Sequence, residues 1–231
     1  MRVRIPYPVP KNTSMTFYQK IELPYGLNEL EPFFSRENLH YHYNVLHDNY
    51  EKKLNETLER LPSFSFKRYP NLRDLLKSLE IMDIPENIRK DINFFGGGLI
   101  NHDFFFSLLA KNNDFVNQNL LRAIVDNFGS LENLKSELIE SALKIRGSGW
   151  TWLIILVKKD KKEIRIINTS NQDSPFSAHE HHPLIGIDVW EHAFSDYQKF
   201  GKQAKEEYLK VVVNKCLNWD FINNLYINLL I

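Results

Sequence analysis

Asp188-Val189-Trp190-Glu191-His192 is the stretch on which the reading of this chain turns. Residues four apart on a helix stand nearly above one another, so one turn here would present an acidic oxygen and an imidazole nitrogen from the same face. Such a pair can grip a metal ion, or it can be a surface ion pair or a helix-end hydrogen bond. Trp190 and Glu191 point elsewhere on such a turn and would line or support the site. Spacing alone leaves both readings open, so any further ligands have to come from distant parts of the chain.

Working outward, a short strand is expected at 184–187, which places Asp188 at its end, with helices over 191–200, 202–217 and 219–230. Upstream, 150–157 and 163–168 are rich in β-branched and aromatic residues. They flank the charged turn Lys158-Lys159-Asp160-Lys161-Lys162, which predicts an antiparallel hairpin. Helices are expected at 117–127 and 130–145. In the N-terminal half, Leu39, Tyr43, Leu46, Tyr50, Leu54, Leu58 and Leu61 recur at helical spacing, predicting one long amphipathic helix over 36–61 with Ser35 as its N-cap. That periodicity carries His42, Leu46 and Tyr50 on one stripe. A short segment near 72–79 precedes a second long helix over 88–110, interrupted by Gly96-Gly97-Gly98. Three glycines inside a helix are costly, which implies that something approaches the backbone closely there. The predicted class is α+β. It comprises a flexible extension over 1–20, an α-helical hairpin domain over 21–112, and an α/β C-terminal domain over 113–231 with a small antiparallel sheet.

Composition narrows the function. Of 231 residues, 43% are apolar, enough for a substantial core. Lys plus Arg and Asp plus Glu both total 29, so no global field draws nucleic acid or an anionic membrane. A single cysteine, Cys216, excludes an internal disulfide and a thiolate zinc cluster and fits a reducing compartment. There is no apolar run of membrane-spanning length and no secretory signal, so a soluble, cytoplasmic protein is expected. Arg2, Arg4, Lys11 and Lys20 keep a mitochondrial or related organelle as the alternative, although Pro6, Pro8 and Pro10 oppose an amphipathic transit helix. Met15 offers a second start, and the triplets at Asn12, Asn55 and Asn168 match the glycosylation pattern without a secretory signal to give it meaning.

The candidate ligands are then few. His102 follows the glycine run by one turn, and His42 lies in the first long helix. Each taken alone would most simply be a packed, hydrogen-bonded core histidine. Together with Asp188 and His192 they would form a set of three imidazoles and one carboxylate, which suits manganese, iron or zinc better than magnesium or calcium.

Over roughly residues 21–228 the sequence resembles the iron/manganese superoxide dismutases. The matching stretches are Leu23-Pro24-Tyr25 with Leu30-Glu31-Pro32; Tyr41-His42-Tyr43 through Tyr50; Asn101-His102; Gly147 to Leu153; Asn171-Gln172-Asp173; Asp188 to Ala193; and Asn218-Trp219. The resemblance implies one redox-cycling manganese per subunit, with iron as the alternative, held between the two domains by His42, His102, Asp188 and His192 plus a solvent ligand. It implies that superoxide is converted to O2 and H2O2. By similarity, Gln172 bonds the solvent ligand, Tyr50 stands at the entrance in the proton network, and Trp150 and Trp190 wall the site. The family supplies that glutamine either from the second helix or from the hairpin region. Here Gly98 leaves the helix position empty and Gln172 is expected to fill the space, as in the manganese-type members.

Glu191, by the same resemblance, crosses a homodimer interface to the ligand His192 of the other subunit, and a tetramer is a further possibility. Family members also carry a His four residues after the first ligand, bonded to a Tyr of the partner. Leu46 and Ser195 stand at those two positions, and Phe106 stands where a Trp is common. Loss of both members of the bridge suggests that Leu46 and Ser195 lie close together across the interface. The same loss motivates a second functional reading, a catalytically weak relative that stores metal or serves as an interaction protein. Three histidine-containing features are read as ordinary. His179-Glu180-His181-His182 is expected in a solvated loop before Pro183, and His40 and His47 at the surface or an interface. Glu37-x-x-His40 is half of a di-iron signature with no second half.

Overall fold

The computed structural model describes residues 16–61, 67–111, 115–159 and 161–229. The Asn12 triplet, the second start at Met15, the first fifteen residues of the expected 1–20 extension and Asp160 of the hairpin turn lie outside these ranges. Within them, Tyr18 is already part of the packed core, and Asn55 Oδ1 accepts its backbone N–H at 3.0 Å.

The expected helix over 36–61 is broken into three pieces. Helix α1 (Arg36–Tyr41) begins at Ser35, whose side chain accepts from Asn38 N as predicted, and α2 runs over Asp48–Glu59. Between them His42–His47 form a π turn. A π turn absorbs an extra residue, so its effect is a rotation of everything downstream. On an uninterrupted α-helix, His42 and Tyr50 would stand roughly 80° apart, and absorbing one residue closes that to about 20°. The same rotation turns His47 inward, leaving it fully buried, while Leu46 is only half-buried. The predicted stripe of His42, Leu46 and Tyr50 is therefore corrected to His42, His47 and Tyr50.

Helix α3 (Leu72–Ser78) leads to α4 (Glu86–Leu108), which packs antiparallel to α2 as the second arm of the hairpin. Leu54, Leu58, Leu75, Ile92 and Leu99 fill the space between these arms and are essentially inaccessible. Each such side chain contributes about 2 kcal/mol of transfer free energy. Phe105, Phe106 and Leu108 of α4 belong instead to a second, larger core shared with Trp150 and Trp152, so α4 is the common wall of the two halves.

In the C-terminal half, α5 (Gln118–Phe128) ends at Gly129, whose φ of +81° gives the left-handed exit that a glycine adopts without strain. Helix α6 (Leu131–Leu143) follows. The sheet is three-stranded and antiparallel in the order β2-β1-β3, formed by β1 (Gly149–Lys158), β2 (Lys161–Ser170) and β3 (His181–Asp188). Central β1 is buried continuously from Gly149 to Leu156, as a strand covered on both faces must be. Edge strand β3 is longer than the expected 184–187 and takes in His181 and His182. Pro183 is tolerated there because an edge strand has one side free of ladder donors, and a register shift opposite Leu153/Ile154 accommodates it. Helices α7 (Ala204–Lys215) and α8 (Trp219–Asn228) close the molecule. The end of α4 is tied to the α7–α8 junction by Ala110 N–H to Cys216 O at 2.9 Å and Asn218 N–H to Leu108 O at 2.8 Å.

Two elements around the opening motif differ from expectation. Asp188 is the last residue of β3, paired with Trp150, so it does not share a helical turn with His192. The following stretch, Glu191–Gln203, is a series of 3₁₀ turns broken at Phe194 and Gly201, where an α-helix was expected. The antiparallel ladder extends far enough to capture the carboxylate. The i to i+4 approach then arises because the chain bends back, with Trp190 N–H donating to Asp188 Oδ1 at 2.8 Å.

Candidate metal centre

Four side chains from four elements converge where the hairpin meets the sheet. His42 comes from the π turn, His102 from the middle of α4, Asp188 from the end of β3 and His192 from the first 3₁₀ turn. One donor atom of each lies within 4.8 Å of all the others. The focus is Asp188 Oδ2, which has the Nε2 atoms of His42, His192 and His102 at 3.2, 3.2 and 3.6 Å.

Hydrogen bonding decides what these nitrogens present. His102 Nδ1 lies 2.7 Å from Gly98 O and must donate to it, which leaves Nε2 as a bare lone pair. Burial drives the His102 pKa well below its ordinary value, assisted by the neighbouring His42. Burial likewise lowers His42 to about 4, against the pull of the Asp188 carboxylate. Burial would push the Asp188 carboxyl up, but the facing His192 and His42 outweigh it and hold the group ionised. The Nε2 atoms of His42 and His102 are buried with no hydrogen-bond partner. The neutral His102 lone pair therefore faces an anionic oxygen across 3.6 Å. A cation between them removes that repulsion. An ion about 2.1 Å from each donor would hold donors roughly 3.0 Å apart at right angles and about 3.4–3.6 Å apart at tetrahedral or trigonal angles, a range that includes the separations from Asp188 Oδ2, so the set fits a tetrahedral or five-coordinate transition metal.

The surroundings are aromatic. Trp150 stands edge-on to His102 with ring centroids 5.1 Å apart, Phe106 is 5.1 Å from His42, and Trp190 is 5.9 Å from His192. Gln172 is fully buried just after β2. Its Oε1 accepts from Trp150 Nε1 at 3.1 Å, which fixes the amide so that Nε2 donates to Tyr50 OH at 2.8 Å. Asn101 Nδ2 donates to the Gln172 backbone carbonyl at 3.3 Å and to its Oε1 at 3.4 Å. Tyr50 is 8% exposed, and burial followed by the Asp188 charge raises its pKa above the ordinary phenol value.

The glycine run does admit close neighbours, with the assignment altered. A Cβ at Gly98 would lie 2.4 Å from the Tyr50 ring, and one at Gly97 would lie 2.1 Å from Gln172 O. The room left by Gly98 is thus taken by Tyr50, while Gln172 presses its backbone against Gly97.

All the expected site residues except Glu191 gather in this region. Glu191 is exposed on the outside of the 3₁₀ segment. The sequence reading missed three contributors. His47, expected at the surface or an interface, is fully buried, pairs through Nε2 with Asp103 Oδ1 at 2.9 Å and stacks on His102 with centroids 5.6 Å apart. Asn101 orients Gln172, and Asn38 reaches the backbone of His192. Asn101 left a signal as part of the Asn101-His102 motif, and His47 left one five residues after a ligand, although helical periodicity points it the wrong way. In the His179-Glu180-His181-His182 run, the first two residues are exposed and the last two begin β3. His40 is exposed as expected, and among the described residues the four-donor cluster is the one metal-type group found.

The chain matches known proteins over most of its length. The family model described as the iron/manganese superoxide dismutase alpha-hairpin domain matches residues 17–110, and the C-terminal domain model of the same family matches residues 116–225. A protein of Listeria monocytogenes serovar 1/2a named as a manganese superoxide dismutase is 36% identical over 207 residues, covering 89% of this chain and 96% of the relative. A protein of the same name from Listeria innocua serovar 6a is 35% identical with the same coverage.

Proposed function

The chain belongs to the iron/manganese superoxide dismutases, and from that premise we propose that it removes superoxide with one manganese per subunit, iron being the alternative, bound by His42, His102, Asp188 and His192. The observation that carries this reading is the set of imidazole nitrogens gathered on one carboxylate oxygen, two of them buried and unpartnered. Three neutral donors and one anion leave a divalent ion with net positive charge, which suits an anionic substrate. When bound, such a metal supplies a one-electron acceptor and donor, so that two superoxides and two protons yield O2 and H2O2.

The protein's own groups manage the protons. Because the Tyr50 oxygen accepts from Gln172 Nε2, its own O–H is free to donate toward the substrate space. Its raised pKa keeps that proton in place at neutral pH. Trp150 and Asn101 hold the Gln172 amide in one orientation, and Trp150, Phe106 and Trp190 line the site. Gln172, which follows β2 and does not come from α4, and the two relatives named as manganese superoxide dismutases support manganese as the first choice.

The assembly proposed is a homodimer, with a tetramer as the larger alternative, in which Glu191 of one subunit bonds the His192 imidazole of the other and Leu46 faces Ser195. Tyr41 at the end of α1 and Val45 in the π turn are 51% and 44% exposed beside the site, and an interface would cover them. The two functional units are taken as 21–112 and 113–231, the site lying between them. The place of action proposed is the cytoplasm. No helix among the described residues is long and apolar enough to cross a membrane, and balanced charge offers no attraction to nucleic acid.

Metal content and superoxide removal by the purified protein test the reading. Near-stoichiometric Mn or Fe with activity that a chelator abolishes is expected. A protein that purifies with a full complement of metal and no activity would instead be the metal-storing relative. Glu191→Ala should give monomers with poor metal retention by light scattering and elemental analysis, and metal-replete dimers would sink the bridge.

A further inference from the structure

The four donors are not held equally well. His102 sits in mid-helix with its ring bonded to Gly98 O, and His42 is 1% exposed within the hairpin arm. Asp188 ends a paired strand and its carbonyl accepts from Tyr208 OH at 2.9 Å. His192 stands apart, as the one donor that is not fully buried and the one carried by a broken run of 3₁₀ turns. Two residues after it Phe194 leaves helical geometry, with φ −112° and ψ 25°. Such a segment has few backbone bonds of its own to fix where its side chains point.

What holds it comes from α1. Asn38, buried to 7% exposure and one turn before His42, uses its side-chain amide twice, donating to His192 O at 3.2 Å and to Ser195 Oγ at 2.7 Å. Both amide hydrogens are spent on the segment, one on each side of the Phe194 break. A separate clamp lies further along, where the Asp196 carboxylate accepts from Ser35 N–H and Ser35 Oγ–H at 2.7 Å each. We infer that Asn38 is a positioning residue for the metal centre, its amide holding His192 in register with His42 by tying the 3₁₀ segment to α1. The inference rests on the metal-centre reading above and goes beyond it. No other side chain among the described residues hydrogen-bonds the His192 backbone. Asn38 and Ser195 therefore act within one subunit, next to the dimer contact proposed for Glu191.

Release of manganese to excess chelator from the Mn-loaded full chain tests the idea, with thermal melting of the metal-free protein measured in parallel. Asn38→Ala is expected to speed release about ten-fold, the scale on which partners of metal ligands act. Ser195→Ala, which spares the bond to His192, should speed release by less. Ser35→Ala is the control for a merely structural role. It weakens the α1 cap and the Asp196 clamp without touching His192, so it should lower the melting temperature and leave the release rate alone. Equal release from Asn38→Ala and wild type, or equal acceleration by Ser35→Ala, overturns the inference. If Asn38→Ala does not fold, Ser195→Ala against Ser35→Ala carries the same comparison. A wild type that binds neither Mn nor Fe overturns the metal-centre reading and this one with it. A wild type that holds manganese while its variants release it no faster overturns only this one.

Discussion

The helical hairpin and the C-terminal half each bring two donors to the same point, and they do so by opposite means. On the hairpin side, His42 and His102 are held by long helices and a leucine core, with the backbone itself fixing the His102 ring. On the other side, Asp188 and His192 sit where regular structure ends, and side-chain hydrogen bonds from Tyr208 and Asn38 do the holding. A metal site divided in this way has one face set by packing and one set by polar contacts. Losses on the two faces should therefore differ in kind: packing errors cost stability, and polar errors cost metal.

Asp188→Ala should have the largest effect, since it removes the anion on which three imidazoles are centred. Metal content should collapse and activity fall by at least about a thousand-fold, while circular dichroism stays near wild type. A variant that still holds manganese would show that the hairpin donors suffice alone.

Acid comes next and acts on the hairpin face. His42 has a folded pKa near 4 against 6.5 unfolded, so the unfolded chain takes up the proton first. Stability of the metal-free protein is complete above about pH 6.5 and is lost as pH falls toward 4, by about 3 kcal/mol from this residue. His102 shifts in the same direction and adds to the loss. Calorimetry across that window checks it, and a flat melting temperature would mean that the imidazoles are less buried than the fold requires.

Tyr50→Phe keeps the ring and deletes the proton. Activity should drop by about a hundred-fold with metal content unchanged, as separate assays of each would show. The smallest effect probes the seam between the faces. Gly97→Ala sets a Cβ against the Gln172 backbone and should cost about 1–2 kcal/mol in urea unfolding. In Gly96→Ala the new Cβ meets the movable end of Leu76 at 3.1 Å and should cost less. Equal losses would deny that the seam is tighter than the hairpin interior.

The same division governs how much could be read from the sequence. On the hairpin side, α4 and the core leucines follow directly from helical spacing, and Ser35 announces the helix start. On the C-terminal side, the strand signals are sound in kind, but β3 begins earlier because an edge strand can hold Pro183. The ligand set and Gln172 were accessible as matching motifs, whereas their local geometry was not. No periodicity reveals that Asp188 is in a strand and His192 in a 3₁₀ turn. His47 escaped because the assumed helical period is violated just where it lies. Asn38 escaped because its partners are 154 and 157 residues away, beyond any local pattern.

The π turn at His42–His47 has a consequence for how this gene can change. Substitutions at exposed Tyr41 or Val45 change the proposed contact surface and leave the register alone. Deleting a single residue from the turn would restore a straight α-helix with Tyr50 seven positions after His42, roughly 20° away as it is now. Leu54 and Leu58 would keep facing the core, whereas deleting a residue from α2 itself would swing everything after it by about 100°. The turn is therefore a place in this arm where the chain can shorten without losing register.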